Sequence, residues 1–142
     1  MAGVYFTFSV FVMRSLAELG DEAGARAMQS INRIILRSAF LPLFFLSTAA
    51  SAALVILALL GLVGSGATAV TAGAATYILG MFIVTAAGNV PLNNRLDAAN
   101  PASQEGQAMW REYLRLWTPL NHVRTAACTV SMVLFAVGIC AR

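Results

Sequence analysis

The sequence predicts an all-α membrane protein: a bundle of about four transmembrane helices, with amphipathic interfacial helices in the first and third connections. Three observations carry that reading. The chain is 59% hydrophobic and only 11% charged, where soluble domains carry roughly a quarter charged residues. Between Arg37 and Arg95 there is no Asp, Glu, Lys, Arg or His, a stretch long enough for two spans of about 20 residues and a turn. The arginines flank the apolar segments instead of gathering on one solvated surface. With 142 residues, one integral membrane domain (1–142) is expected, with spans at roughly 1–19, 39–63, 67–92 and 119–141.

The first apolar segment, Met1 to Met13, is too short to span and ends at Arg14. Either a partly polar helix continues past Arg14, or the chain begins inside a longer helix; the second is preferred. No cationic stretch precedes it, so a signal peptide is not expected. The alternation in Tyr5-Phe6-Thr7-Phe8-Ser9 could suggest a strand, but a lone strand in lipid leaves its backbone unpaired, so helix is expected. Residues 21–37 then show Met28, Ile31 and Ile35 at helical spacing, with Ala27 and Ile34 beside them and Arg26, Gln29, Asn32 and Arg33 facing elsewhere. This is an amphipathic helix at the interface.

The second span, about Ala39 to Val63, has Pro42 near its start, where proline is tolerated. Gly64-Ser65-Gly66 is a turn signal. In the third span, about Ala67 to Leu92, Gly73, Thr76 and Gly80 allow close helix approach, and Pro91 is expected to kink its end. In the polar stretch 93–118, Asn100-Pro101 predicts a helix start with Asn as cap. Met109, Trp110, Tyr113, Leu114 and Trp117 give that helix an apolar, aromatic side suited to the headgroup level. Thr118-Pro119 is a second such start, opening the last span from Leu120 to Ala141. Cys128 and Cys140 lie in that span, about 18 Å apart on one helix. That is too far for a disulfide, and they are expected to pack as small apolar residues.

All nine cations are arginine. Arg14, Arg26, Arg33 and Arg37 fall in the first connection and Arg95, Arg111 and Arg115 in the third. The second holds none, so the first and third connections are predicted to face the cytoplasm across the cell membrane, with both termini outside. Nucleic acid is not an expected partner, because its basic patch would need a solvated surface. Membrane lipid is the expected surrounding.

The polar residues of the spans gather at this same face. Asn89, Asn93 and Asn94 close the third span; Asn121, His122, Arg124 and Thr125 open the fourth. Asn121 and Thr125 lie about 40° apart around the helix, with His122 to one side and Arg124 to the other. Arg124 sits about one turn inside an apolar helix; a charge costs at least ~2.5 kcal/mol at the bilayer centre and less towards the interface. Its candidate partners are Asn side chains, carbonyls, Asp97, Glu105, Glu112 or an anionic ligand. Interfacial arginines also snorkel to headgroups, and Asn or His near a helix start often caps backbone. His122 is the sole histidine, whereas zinc and non-haem iron sites need two or three His or Cys ligands with carboxylates. No metal site is therefore expected, and there is no phosphate loop or Cys-x-x-Cys. One His could be an axial haem ligand, with nothing else to support haem.

Three blocks then carry a likeness. The first is Val4-Tyr5-Phe6-Thr7-Phe8-Ser9 with Val12-Met13 and Ala27-Met28-Gln29-Ser30-Ile31-Asn32. The second is Asn89-Val90-Pro91-Leu92-Asn93-Asn94-Arg95-Leu96. The third is Trp110, Tyr113 and Trp117 leading into Asn121-His122-Val123-Arg124-Thr125. Together they resemble the anthrone oxygenase-like family of small integral membrane proteins, over most of the chain. Relatives usually carry further apolar residues ahead of the first block, and often Pro where this chain has Arg14.

The resemblance implies oxidation of an anthrone to an anthraquinone by O2 in some members; many relatives have no assigned substrate. An anthrone methylene is acidic, and its carbanion can meet oxygen without a cofactor, with O2 as co-substrate. Such a site needs a base and donors for the developing oxyanion. On this reading His122 takes the proton, and Arg124, Asn89, Asn93 and Asn121 hold the oxyanion. Trp117, Tyr113, Thr125 and Asn32 contact a flat hydrophobic aromatic ligand. The alternative is a non-enzymatic membrane module that binds lipid or a hydrophobic ligand, or an accessory subunit. A transporter is a weaker third reading. The small-residue faces permit a homo-oligomer without establishing one.

Overall fold

The computed structural model describes residues 1–141, and every regular element in it is helical. Three helices are long and apolar enough to cross a membrane: α3 (Phe40–Leu59), α4 (Gly64–Ala98) and α5 (Gln104–Cys140). Before them come α1, which runs through Ala2–Thr7, Phe8–Val12 and Met13–Glu18, and the shorter α2 (Asp21–Ile35). The architecture is the expected bundle of about four helices with an amphipathic helix, α2, across one end; the amphipathic helix expected in the third connection is instead the first part of α5.

α1 continues past Arg14, which stays exposed and pairs with Glu18 one turn on, so the helix carries its charge without burying it. It stops at Gly20, whose φ of 86° suits glycine. α2 buries Gly24, Ala25, Met28, Gln29 and Asn32, while Ile34 is exposed. The buried stripe is thus rotated from the one expected, and Gln29 and Asn32 point inward. The cause is polar: Gln29 Nε2 donates to the carbonyls of Leu96 (2.8 Å) and Ala99 (2.9 Å). The two carbonyls lie at the C-terminal end of α4, where Leu96 also accepts from Ala99 N–H.

The turn into α4 comes earlier than Gly64-Ser65-Gly66. α3 ends at Leu59, Gly61 and Gly64 take positive φ, and Gly64–Gly66 forms a 3₁₀ first turn of α4. In α4, Gly66, Gly73 and Gly80 form the seam against α5. A Cβ on Gly66 would come within 2.2 Å of the Gly138 carbonyl oxygen, which is backbone and cannot swing aside. Gly66→Ala is therefore expected to destabilise the bundle by about 1–3 kcal/mol, the usual cost of overpacking. Thermal unfolding in detergent checks this, and an unchanged midpoint would show that the seam is looser than described.

Pro101 and Pro119 do not start helices where expected. α4 runs past Pro91 to Ala98; π-helical turns over Ile78–Ile83 and Thr85–Asn89 widen it just before the proline, which accommodates the missing hydrogen bond. α5 starts at Gln104, three residues beyond Pro101, with Ser103 as cap: its Oγ accepts from Gly106 N–H. Thr118-Pro119 opens no new helix, because Pro119 lies inside α5, which continues unbroken to Cys140.

α4 and α5 make the closest pair; α1 packs along α5 and α3 along α4, whereas α1 and α3 do not pack closely along one another. A dense core lies under α2, where Met13, Leu16, Ala25, Met28, Leu92 and Leu96 surround Trp110, Tyr113 and Trp117. Deeper in the bundle Tyr5, Phe44, Tyr77, Met81 and Cys128 form a second cluster. Cys128 packs there as expected, and Cys140 is exposed. Ion pairs tie the polar end together: Arg33 to Asp97 (2.7 Å), Arg95 to Glu112 (3.1 Å) and Arg111 to Asp21. All three are largely exposed, so each contributes little by itself.

An apolar cavity with one buried arginine

Because α1 and α3 stand apart, a cavity of about 310 Å³ is left between them. α1 supplies Tyr5 and Phe8, α3 supplies Phe40 and Phe44, and α2 covers the top with Met28, Ile31 and Asn32. α4 and α5 form the floor with Phe82, Thr85, Asn93, Trp117 and Arg124. Its volume and its mostly apolar lining with a few polar groups suit a small hydrophobic ligand.

Arg124 is 5% exposed. Its Nη2 donates to Asn121 Oδ1 at 2.8 Å, and Nη1 makes a long contact with Thr85 Oγ1 at 3.4 Å. The guanidinium carbon lies 4.4 Å from the Tyr5 ring centroid and 4.9 Å from that of Trp117. Desolvated cation–π contacts of this kind contribute about 2 kcal/mol. Nε is buried with no partner. No carboxylate joins it: Asp97 and Glu112 are held by Arg33 and Arg95, and no ion pair of Arg124 occurs among the described residues. The cavity therefore holds a cation with unspent donor capacity, in surroundings where an anionic oxygen would be strongly held.

Asn121 sets that cation in place. It is fully buried, and its Nδ2 donates at 2.7 Å both to the Tyr5 carbonyl and to Ser9 Oγ, while its Oδ1 takes Arg124. It thus bolts α1 to α5 and does not itself line the cavity. Ser9 sits in the π-turn Phe8–Val12 of α1. Thr125 extends the same cross-link, 3.1 Å from Ser9 Oγ, and does not line the cavity either.

Asn93 Oδ1 accepts from both Tyr113 Oη (2.8 Å) and Trp117 Nε1 (2.9 Å), which orients its amide and leaves Nδ2 for a ligand. Asn32 lines the cavity too, with a buried Nδ2 that has no partner. Trp117 forms part of the wall. Tyr113 does not: it is stacked between Trp110 and Trp117 at 5.8 and 5.7 Å, supporting the wall from behind. Asn89 is fully buried outside the cavity, donating at 3.4 Å to the Trp117 carbonyl.

His122 is not brought into this group. It is exposed, because two residues along a helix turn a side chain about 200° from Arg124. Of the polar residues singled out in the sequence, the cavity thus gathers Arg124, Asn93, Asn32 and Trp117; Asn121, Asn89, Tyr113 and Thr125 stand behind them. Sequence reasoning missed Tyr5, Phe8 and Thr85 as lining residues. Tyr5 and Phe8 lie within the first block of the likeness, but nothing local shows that they face Arg124. Among the described residues no group of three His, Cys, Asp or Glu side chains comes together to hold a metal ion.

No curated protein and no solved structure matches the chain. The sequence model of one family, described as anthrone oxygenase, matches residues 33–134, which covers α3, α4 and the floor of the cavity with Asn93, Trp117 and Arg124. That match extends over well more than half of the chain, and the protein belongs to the anthrone oxygenase family.

Proposed function

We propose that the protein is a membrane-embedded oxygenase that oxidises a flat, hydrophobic phenolic or polyketide-like substrate with O2, without a cofactor, in the cavity between α1 and α3. The observation that carries this reading is Arg124: a buried guanidinium with no carboxylate and an unpartnered Nε, at the wall of an apolar cavity. An anthrone loses a methylene proton to water to give an oxyanion conjugated with a carbanion. Arg124 holds that oxygen, with Asn93 and Asn32 as further donors, so the guanidinium favours ionisation of the bound substrate. The carbanion passes one electron to O2, and the resulting radicals join as a C–O bond. Protonation and loss of water then leave the new carbonyl. The methylene plus O2 becomes a carbonyl plus one H2O.

The surroundings fit that substrate. The chain sits in the cell membrane with its arginine-rich connections in the cytoplasm, in contact with lipid, where a flat polyketide dissolves. The exposed His122 has no part in the proton transfer on this reading. Oxygen uptake by the purified protein in detergent, with emodin anthrone as substrate, tests the proposal. Uptake above the spontaneous rate, unaffected by a chelator and within about twofold of wild type in His122→Ala, is the expected result. Loss of uptake in His122→Ala would restore His122 as the base, and sensitivity to the chelator would require a metal. Uptake no faster than without protein would leave a hydrophobic-ligand binding module.

A further inference from the structure

We propose that the ligand reaches the cavity sideways from the bilayer, through the gap between α1 and α3, and not from water. The inference rests on the cavity as the ligand site, as argued above, and concerns how that site communicates with its surroundings. On the solvated side the cavity is roofed by α2, and the roof is fastened. Gln29 holds the Leu96 and Ala99 carbonyls at 2.8 and 2.9 Å, Arg33 pairs with Asp97, and Asp21 pairs with Arg111 of α5. These bonds tie both halves of α2 to the ends of α4 and α5. Below the roof the neighbouring core is closed, with Met28, Leu96, Trp110 and Tyr113 at or near zero exposure.

The lateral side is different. α1 packs on α5 and α3 on α4; the two meet where the Tyr5 and Phe40 rings lie edge to face, 6.2 Å between centroids, without packing closely along each other. The lining residues that remain exposed are all apolar: Val4 on α1, Leu36 before α3, Phe45 on α3, and Ala86 and Val90 on α4. An apolar rim beside acyl chains exposes no apolar surface to water, whereas the same rim opening to water would carry the hydrophobic cost of that area. The polar groups of the cavity lie inside this rim, with Arg124 and Asn32 buried. A hydrophobic aromatic molecule dissolved in lipid therefore passes from acyl chains to the apolar rim to Arg124 without crossing water. O2, which also concentrates in hydrocarbon, has the same path.

The test uses the full chain in lipid nanodiscs under argon, so that binding is read without turnover. The reporter is tryptophan fluorescence, because Trp117 lines the cavity. Two probes are compared: emodin anthrone, and an anthrone carrying a hexadecyl chain. The long chain must trail out of the occupied cavity, which only a lateral opening allows. Both probes are expected to quench to a similar extent. The rim variant Val4→Phe/Ala86→Phe is expected to slow quenching by both at least tenfold. Leu57→Phe, on an exposed part of α3 that does not line the cavity, is expected to leave the rates unchanged. Quenching by the parent but not by the hexadecyl probe would overturn the lateral route, as would rim variants that bind at the wild-type rate while folded by thermal unfolding. Failure of both probes to quench the wild-type protein would remove the cavity as the ligand site, and this inference with it. Binding without oxygen uptake in air would remove the oxygenase reading and leave the route standing.

Discussion

Arg124→Met is expected to lower anthrone-dependent oxygen uptake by about 10²–10³-fold, the usual loss on removing one preorganised donor from a developing oxyanion. Methionine fills much of the space and keeps the apolar contacts with Tyr5 and Trp117 that the guanidinium now makes. Removing the unpaired buried charge relieves its desolvation cost, which offsets the lost cation–π contacts and the Asn121 Oδ1 left without a donor, so the variant should remain folded. That separation matters, because a drop in activity with an unchanged thermal midpoint assigns Arg124 to chemistry and not to structure. Arg124→Lys retains the charge without the planar fork. It should fall between wild type and Arg124→Met, with a weaker hold on Asn121. Uptake by Arg124→Met within a few-fold of wild type would sink the oxyanion role.

Asn121→Leu is expected to be the most destabilising of the polar changes. It removes partners from the Tyr5 carbonyl, Ser9 Oγ and Arg124 Nη2 in one step. Ser9 keeps a contact with Thr125, so its loss is partial. Each buried group left unsatisfied costs about 1–3 kcal/mol, which sets the expected total at about 3–5 kcal/mol. The readout is the thermal midpoint in detergent, together with proteolysis of α1, whose buried polar cross-link to α5 runs through this residue. Activity should fall as well, because Arg124 loses its short hydrogen bond, but through position and not through contact with substrate. A midpoint shift below about 1 kcal/mol equivalent would mean that apolar packing of α1 on α5 holds the site without the cross-link.

The two variants separate roles that look alike in the sequence, where Asn121, His122, Arg124 and Thr125 form one polar cluster. Composition and spacing were enough for the helical membrane class, for α3, the body of α4 and the membrane half of α5, and for the amphipathic α2. Those features depend on the number of apolar residues in a row and on local periodicity, which are properties of the chain itself. The three blocks of residues also sufficed to point to the family. Arg124 stood out for the same local reason: a cation inside an apolar run must find a partner or a polar pocket.

The rest required the assembled bundle. Whether Pro119 starts a helix or lies within one depends on the packing of its first half under α2, which stabilises Gln104 to Cys140 as a single rod. Gln29 faces inward to carbonyls 67 and 70 residues away, and Asn32 turns to the cavity one helical turn on, conditions no window of sequence contains. Asn121 and His122 are neighbours in the chain, yet one is wholly buried and the other exposed. Helical rotation separates them, but only the position of α1 decides which side is inside. The cavity exists for the same reason: α1 and α3 pack on different partners, and the space between them is defined by contacts distant in sequence.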